Sequence, residues 1–219
     1  MLARCIFTAG RRLAGCHLWA LDTPAEEVRE WTRGSGPGLK FDLLNALIST
    51  APPPRGTHVI ITDDDYRFVD GGFSRFVRIA EVATLDMAQP AHMPRSHHSH
   101  PITVARPLTL ARLSGTVEVG PVFVINQSAV ETVVPFPAQA GMGWGLESVW
   151  AAQGLLCGLV DAVPIVHLSP VADTYDKNSA RAYRDRMLSE RGLTAETSPW
   201  VDGPRWRVPR PSPPWATRR

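Results

Sequence analysis

Three consecutive carboxylates, Asp63, Asp64 and Asp65, follow directly on the run Val59, Ile60, Ile61 and Thr62. Carboxylates spaced i and i+2 after a buried strand can converge on one hard cation that also bridges phosphate oxygens. Mg2+ or Mn2+ suits such oxygen ligands. A solvated turn closing the strand is the plainer reading of the same triplet, and the unbroken apolar run ahead of it favours the cation. A second group lies in "GWGLESVW", where Gly143 and Gly145 flank Trp144 and Glu147 opens a helix whose dipole favours a carboxylate. An indole beside a carboxylate can stack a sugar ring and hold a general base near its hydroxyl. The alternative is a capped helix with Trp144 in the core. In "DAVPIVHL", Asp161 and His167 bracket an apolar run. A histidine ending a buried strand is more often a satisfied core residue than a ligand, unless it reaches the same sheet edge as the aspartates.

Other motifs are excluded or weaker. His97, His98 and His100 in "SHHSHP" have chelating spacing, but no cysteine or second histidine pair accompanies them as in structural zinc sites. A polar loop is the expectation there. "GSGPGLK" is not a phosphate-binding P-loop, because Leu39 stands where the second glycine belongs and Phe41 replaces Ser or Thr. Lys40 can still reach a phosphate from the head of its helix. There is no G-x-S-x-G elbow.

These residues need elements to position them. "ARCIFTAG" and "CHLWALD" read as strands, and "TPAEEVREW" as a helix capped by Thr23 with Pro24 at its first position. A helix follows with Phe41, Leu44, Leu47 and Ile48 on one face. "THVIIT" predicts a strand buried on both faces of a largely parallel sheet. "FSRFVRIAEVA" has helical spacing, "LDMAQP" and "GTVEVGPVFVIN" are strand-like, and "SAVETVVPF" predicts a short helix. "GMGWGLESVWAAQ" is a glycine-rich turn entering a helix, "LCGLVDAVPIVHLSP" a buried strand pair, and 177–191 a charged peripheral helix. Strands alternating with helices predict an α/β fold, with a mixed, mostly parallel sheet flanked by helices. Residues 1–195 form the expected domain. From Pro199 onward six prolines and three tryptophans punctuate an Arg-rich segment, so 196–219 is expected to be an extended tail.

Composition narrows the class. The 219 residues can bury one sizeable core, and 44% hydrophobic with 20% charged content is ordinary for a globular protein. A net charge of +2 gives no field that advertises nucleic acid or a membrane surface as partner. Three cysteines without a CxxC pair argue against a disulfide framework and make a cytoplasmic setting the expectation. No apolar stretch is long enough for a transmembrane segment, and the N-terminus lacks a signal-peptide h-region.

Taken in order, an acidic triplet after a strand, a "GWGLE" turn entering a helix and a strand ending in histidine resemble glycosyltransferases of the GT-A fold, family 2-like. The blocks "DMAQPAHMPRSHHSHPIT", "VEVGPVFVINQSA", "GWGLESVWAAQ" and "GLVDAVPIVHLSP" resemble more closely a poorly characterised glycosyltransferase-like family of bacteria and plants, over residues 18–175. The resemblance implies a single GT-A-like domain and sugar transfer from a nucleoside diphosphate sugar to an acceptor hydroxyl. It implies that Asp63 and Asp65 hold Mn2+ or Mg2+ and the diphosphate, with His167 as third protein ligand. Asp64 belongs to the diphosphate-contacting triplet, although on an extended backbone it points away from its neighbours. Glu147 falls at the base position, where relatives often carry Asp. Trp144 would contact the acceptor or the donor sugar, Lys40 and Asn45 the nucleotide, and Glu118 and Gly120 the transferred sugar. A non-catalytic binding module of the same fold is the alternative. A nucleotidyltransferase, faintly echoed by "TAGRR", is a third reading.

Overall fold

A computed structural model describes residues 2–9, 12–115, 117–138, 140–170, 175–194 and 202–207, with side chains described from residue 14 to 194. The strands are β1 (Leu2–Ala9), β2 (Arg12–Ala20), β3 (Thr32–Ser35), β4 (His58–Thr62), β5 (Tyr66–Phe68), β6 (Met87–His92), β7 (Thr109–Ser114), β8 (Val122–Ile125), β9 (Cys157–His167) and β10 (Asp202–Arg207). The α-helices are α1 (Lys40–Thr50), α2 (Phe73–Val82), α3 (Val130–Val133), α4 (Leu146–Ala152) and α5 (Lys177–Ser189). They build one sheet in the order β10-β7-β9-β6-β8-β4-β1-β2-β3, with β5 paired to β9.

The expected mostly parallel sheet is not what forms. Among the described residues only the strands β2–β3 and β6–β9 pair parallel; the other pairings, β1–β2, β1–β4, β4–β8, β6–β8, β7–β9, β5–β9 and β7–β10, are antiparallel. The apolar run of β4 is explained by burial on both faces, which says nothing about the direction of its neighbours. Val59 and Ile61 pack into one core with Phe41, Leu44, Phe123 and Trp150, whereas Ile60 packs into the other with Phe76, Val77, Val124 and Val160. Helices α1, α4 and α5 supply the first core and α2 the second.

Direction along the sheet still sets up the site. β8 is antiparallel to both β4 and β6, and β9 is parallel to β6, so β4, β6 and β9 run the same way. Their C-terminal ends, leading into Asp63 and ending at His92 and His167, lie along one sheet edge. The N-terminal end of β8, preceded by Gly120 and Pro121, meets that edge, and the Asp63 amide donates to the Pro121 carbonyl at 2.7 Å.

Local differences have local causes. Glu26–Trp31 is a 3-10 helix that buries no residue, and it starts after Ala25 with no side-chain cap, so Thr23 does not cap it. "LCGLVDAVPIVHLSP" makes one eleven-residue strand rather than a pair. Among the described residues of "GTVEVGPVFVIN", Val122–Ile125 alone are strand. Of the expected tail, 202–207 form β10 against β7, and the rest lies outside the described residues. Among the described residues no helix is long and apolar enough to cross a membrane.

Candidate functional site

A cleft of about 1020 Å³ opens at the edge where β4, β6 and β9 end. Of the residues singled out by sequence, Lys40, Asp63, Asp64, Asp65, Glu118, Gly120, Trp144, Glu147 and His167 line it. Asn45 does not. Its amide donates to the Phe136 carbonyl at 3.0 Å and its carbonyl accepts from the Phe136 amide at 2.9 Å, so it clamps α1 to the segment after α3.

Lys40 heads α1, and its buried ammonium donates to Asp63 Oδ2 at 2.7 Å and to the Val119 carbonyl at 2.9 Å. Asp63 is thereby turned toward the base of the cleft, with 11% of its side chain exposed. Burial raises the Asp63 carboxyl above its ordinary range, against the opposing pull of Lys40; nearby Asp65 raises it further. Gly120 allows this approach, since a Cβ there would lie 3.3 Å from Asp63 Oδ2 and 3.5 Å from Lys40 Nζ.

Asp65 faces the other way around the turn, and its Oδ2 lies 3.1 Å from His167 Nε2. β5 sets this pairing, because Tyr66 is in register with His167 and the Leu168 amide donates to the Asp65 carbonyl at 2.7 Å. Burial works to raise the Asp65 carboxyl. The hydrogen bond and charge of His167, with a hydrogen bond from Ser169, outweigh it and hold the group below its ordinary range. Asp64, between the two, is exposed.

The histidine loop is anchored rather than loose. Glu118 Oε1 accepts from the amides of Ser99 and His100 at 3.0 and 2.9 Å and from the Thr103 hydroxyl at 3.0 Å. Its own amide donates to Gln89 Oε1. Glu118 therefore holds the loop over the cleft while lining it. His98 and His100 line the cleft, whereas exposed His97 is not among the lining residues. Ser96 ties loop to strand: its hydroxyl accepts from the His167 amide at 2.7 Å and lies 3.3 Å from His92 Nδ1. Burial, with His167 and His98 nearby, drives the His92 imidazole down to about 3, so it is neutral.

Across the cleft, the GWGLE turn uses glycine where backbone meets the core. Gly143 has φ +89°, and a Cβ there would lie 2.3 Å from Phe41 Cε2 and 2.4 Å from Val119 Cγ2. The turn packs backbone directly onto the core and leaves Trp144 half-buried at the cleft, not in the core. The Trp144 indole donates to the Tyr175 hydroxyl at 3.1 Å, with the rings edge to face at 6.4 Å. Burial raises the Glu147 carboxyl; the backbone amides of Glu147 and Gly145, and the charge of Arg184, oppose it only in part.

Sequence reasoning missed Tyr175, Lys177, Arg181 and Arg184, which also line the cleft. The helix was legible, with a spacing of cations at 177, 181 and 184 that repeats on one face, but nothing local says which way that face turns.

A divalent cation fits part of this arrangement. Among the described residues no three His, Cys, Asp or Glu side chains converge as a metal-binding group. Asp63 is committed to Lys40 instead. Asp65 Oδ1 and His167 Nδ1, however, are buried without a hydrogen-bond partner. Mg2+ and similar ions commonly take only one or two protein carboxylates and complete the shell with substrate phosphates and water. Two such donors fall short of the set that holds a resident ion.

No protein-family model, curated protein or solved structure matches this chain.

Proposed function

We propose that the chain is a metal-dependent glycosyltransferase that moves a sugar from a nucleoside diphosphate sugar to an acceptor hydroxyl, with inversion. What carries this reading is one cleft that juxtaposes a carboxylate–histidine pair, a buried lysine–aspartate pair, an aromatic face and a carboxylate of raised pKa. In the proposed step the acceptor oxygen attacks the anomeric carbon and its proton passes to Glu147 Oε. The bond from that carbon to the diphosphate oxygen breaks, and the electron pair leaves on the diphosphate. Asp65, with His167 and Asp63 beside it, is the group placed to hold Mn2+ or Mg2+, and such an ion supplies Lewis-acid neutralisation of the leaving charge. Lys40 fixes Asp63 and places a cation at the floor of the donor end. Trp144, oriented by Tyr175, offers a sugar-stacking face. Three cysteines without a CxxC pair fit a cytoplasmic setting for the reaction.

The test is thermal shift with Mn2+ against a panel of nucleoside diphosphates, followed by Glu147→Gln. Stabilisation by a nucleotide only when metal is present is expected, with transfer abolished and nucleotide binding kept in the variant. No metal-dependent stabilisation by any nucleotide sinks the donor site, and surviving turnover sinks the base. A second reading, a non-catalytic nucleotide-sugar or glycan-binding module, is favoured by the Lys40–Asp63 pair, which occupies one of the two carboxylates a catalytic ion would use. Slow hydrolysis of donor without acceptor separates the two, because a binding module leaves the donor intact.

A further inference from the structure

One wall of the cleft is basic. Helix α5 carries Lys177, Arg181, Arg184 and Arg186 against the single carboxylate of Asp185. Lys177, Arg181 and Arg184 fall at i, i+4 and i+7, so they share one face, and these three line the cleft while Arg186 does not. With a rise of 1.5 Å per residue the three span about 10 Å along the helix axis.

The stripe is held against the GWGLE turn. A Cβ on Gly145 would lie 2.7 Å from Arg184 Cγ, and one on Gly141 would lie 3.2 Å from Tyr183 Cβ, so α5 docks where these glycines leave space. Asp176 anchors the first turn by accepting from the amides of Asn178 and Ser179 at 3.2 and 2.8 Å. The cations are only lightly engaged. Among the described residues Lys177 has no ion-pair partner, Arg181 bonds only Asn178 Oδ1 at 3.2 Å, and Arg184 reaches Asp185 through Nε and Nη2. A row of exposed cations is ordinarily a solvated face. This row instead lines the same cleft as Glu147, and Arg184 packs against the turn that precedes that carboxylate.

We infer that Lys177, Arg181 and Arg184 form an anion subsite on the acceptor side of the cleft, so that the acceptor carries a phosphoryl or carboxylate group beside its reacting hydroxyl. The assignment to the acceptor rests on the glycosyl-transfer reading; the anion subsite itself does not. The location favours the acceptor because Arg184 of the stripe packs on the turn that carries Glu147, whereas Lys40, Asp63 and Asp65 come from α1 and the end of β4. A hydroxyl presented to Glu147 puts an anionic substituent of the same molecule within reach of α5. Guanidinium groups then receive it bidentately, and the free ammonium adds a point charge.

Calorimetric titration with inorganic phosphate tests this without donor or turnover. Wild type is expected to bind phosphate, and Lys177→Ala with Arg181→Ala to weaken it at least about tenfold, since each charge-assisted bond is worth more than the 1.4 kcal/mol of a tenfold change. Both positions are exposed, so the variant is expected to fold. Arg186→Ala removes the same kind of charge from the opposite side of α5 and should bind phosphate within about twofold of wild type, the difference expected of an exposed, screened charge. Saturating Mn2+–pyrophosphate, a mimic of the donor diphosphate, should leave phosphate affinity unchanged. Equal binding by wild type and the double variant, or an equal loss in Arg186→Ala, overturns the subsite. Competition by Mn2+–pyrophosphate overturns the acceptor assignment and gives the face to the donor. Phosphate binding that passes these controls in a protein lacking metal-dependent nucleotide stabilisation retains the subsite and removes the transferase reading.

Discussion

His167 Nε2 lies 3.1 Å from Asp65 Oδ2, although 102 residues separate the two in the chain. The pair leaves a buried atom without a hydrogen-bond partner on each side, Asp65 Oδ1 and His167 Nδ1. Desolvated polar atoms cost stability unless something pairs with them, which is why this pair is the first place to probe.

Asp65 is held below the ordinary carboxylate range chiefly by His167, against the raising effect of burial. A carboxyl depressed in the folded state stabilises the fold above its unfolded value of about 3.9 and loses that contribution as pH falls through the lower folded value. His167→Ala leaves burial unopposed by the imidazole. The Asp65 titration then moves to higher pH in carbon-detected NMR, and the variant's stability deficit is fullest near neutral pH and shrinks as pH falls. An Asp65 titration that does not move would refute the coupling.

The Lys40–Asp63 pair behaves as a buried unit, with side-chain exposures of 8% and 11%. Removing one member strands the other, at a cost of about 3–5 kcal/mol. Lys40→Met should therefore be strongly destabilising in urea unfolding. Its deficit should grow as pH rises, because Asp63, already raised, loses the cation that favours its charged form. Lys40→Met with Asp63→Asn should recover much of the loss. Additive single effects would show that the two act independently.

For Glu147 to accept a proton it must be ionised, and burial raises its carboxyl. The acidic limb of the pH–rate profile should accordingly lie above the ordinary glutamate value of about 4.3, with activity lost as pH falls through it. Arg184 lowers the group, so Arg184→Ala should carry the limb to still higher pH. A limb at the ordinary position, unmoved by that substitution, contradicts the assignment.

Gly143 and Gly154 both have positive φ, +89° and +76°, but a Cβ at Gly154 meets nothing within 4 Å. Gly154→Ala should cost only the left-handed strain of about 1–2 kcal/mol. Gly143→Ala adds a collision with Phe41 and Val119 and should cost clearly more, with loss of nucleotide or phosphate binding in the cleft. Thermal unfolding of the two variants side by side decides it, and equal losses would mean that the turn yields freely.

Several elements were legible because their causes are local. The helical spacing of Phe41, Leu44, Leu47 and Ile48 and the unbroken Val59–Ile60–Ile61 run record which faces are buried, and all these residues are buried. The direction of the neighbours of β4 left no such record. An apolar side chain satisfies the same burial beside a parallel or an antiparallel partner, so the expectation of a mostly parallel sheet failed there. The cap expected at Thr23 failed because the segment is a short surface 3-10 turn whose ends need little from side chains. Asn45 has the donors and acceptors a nucleotide would use, and only the fold reveals that Phe136 takes them.

The sequence by itself determined the residue types available for chemistry: an acidic triplet after a doubly buried strand, a glycine-flanked indole before a glutamate, and a histidine at a strand end. Tertiary structure decided their grouping. It split the triplet, sending Asp63 to Lys40 and Asp65 to His167, and it turned three cations of α5 into the cleft that Glu147 also lines. The reason is that spacing along a chain fixes which side chains share a face of one element. Which faces oppose each other depends on strand order and on where glycines let backbone and helix approach, and neither is encoded within any single segment.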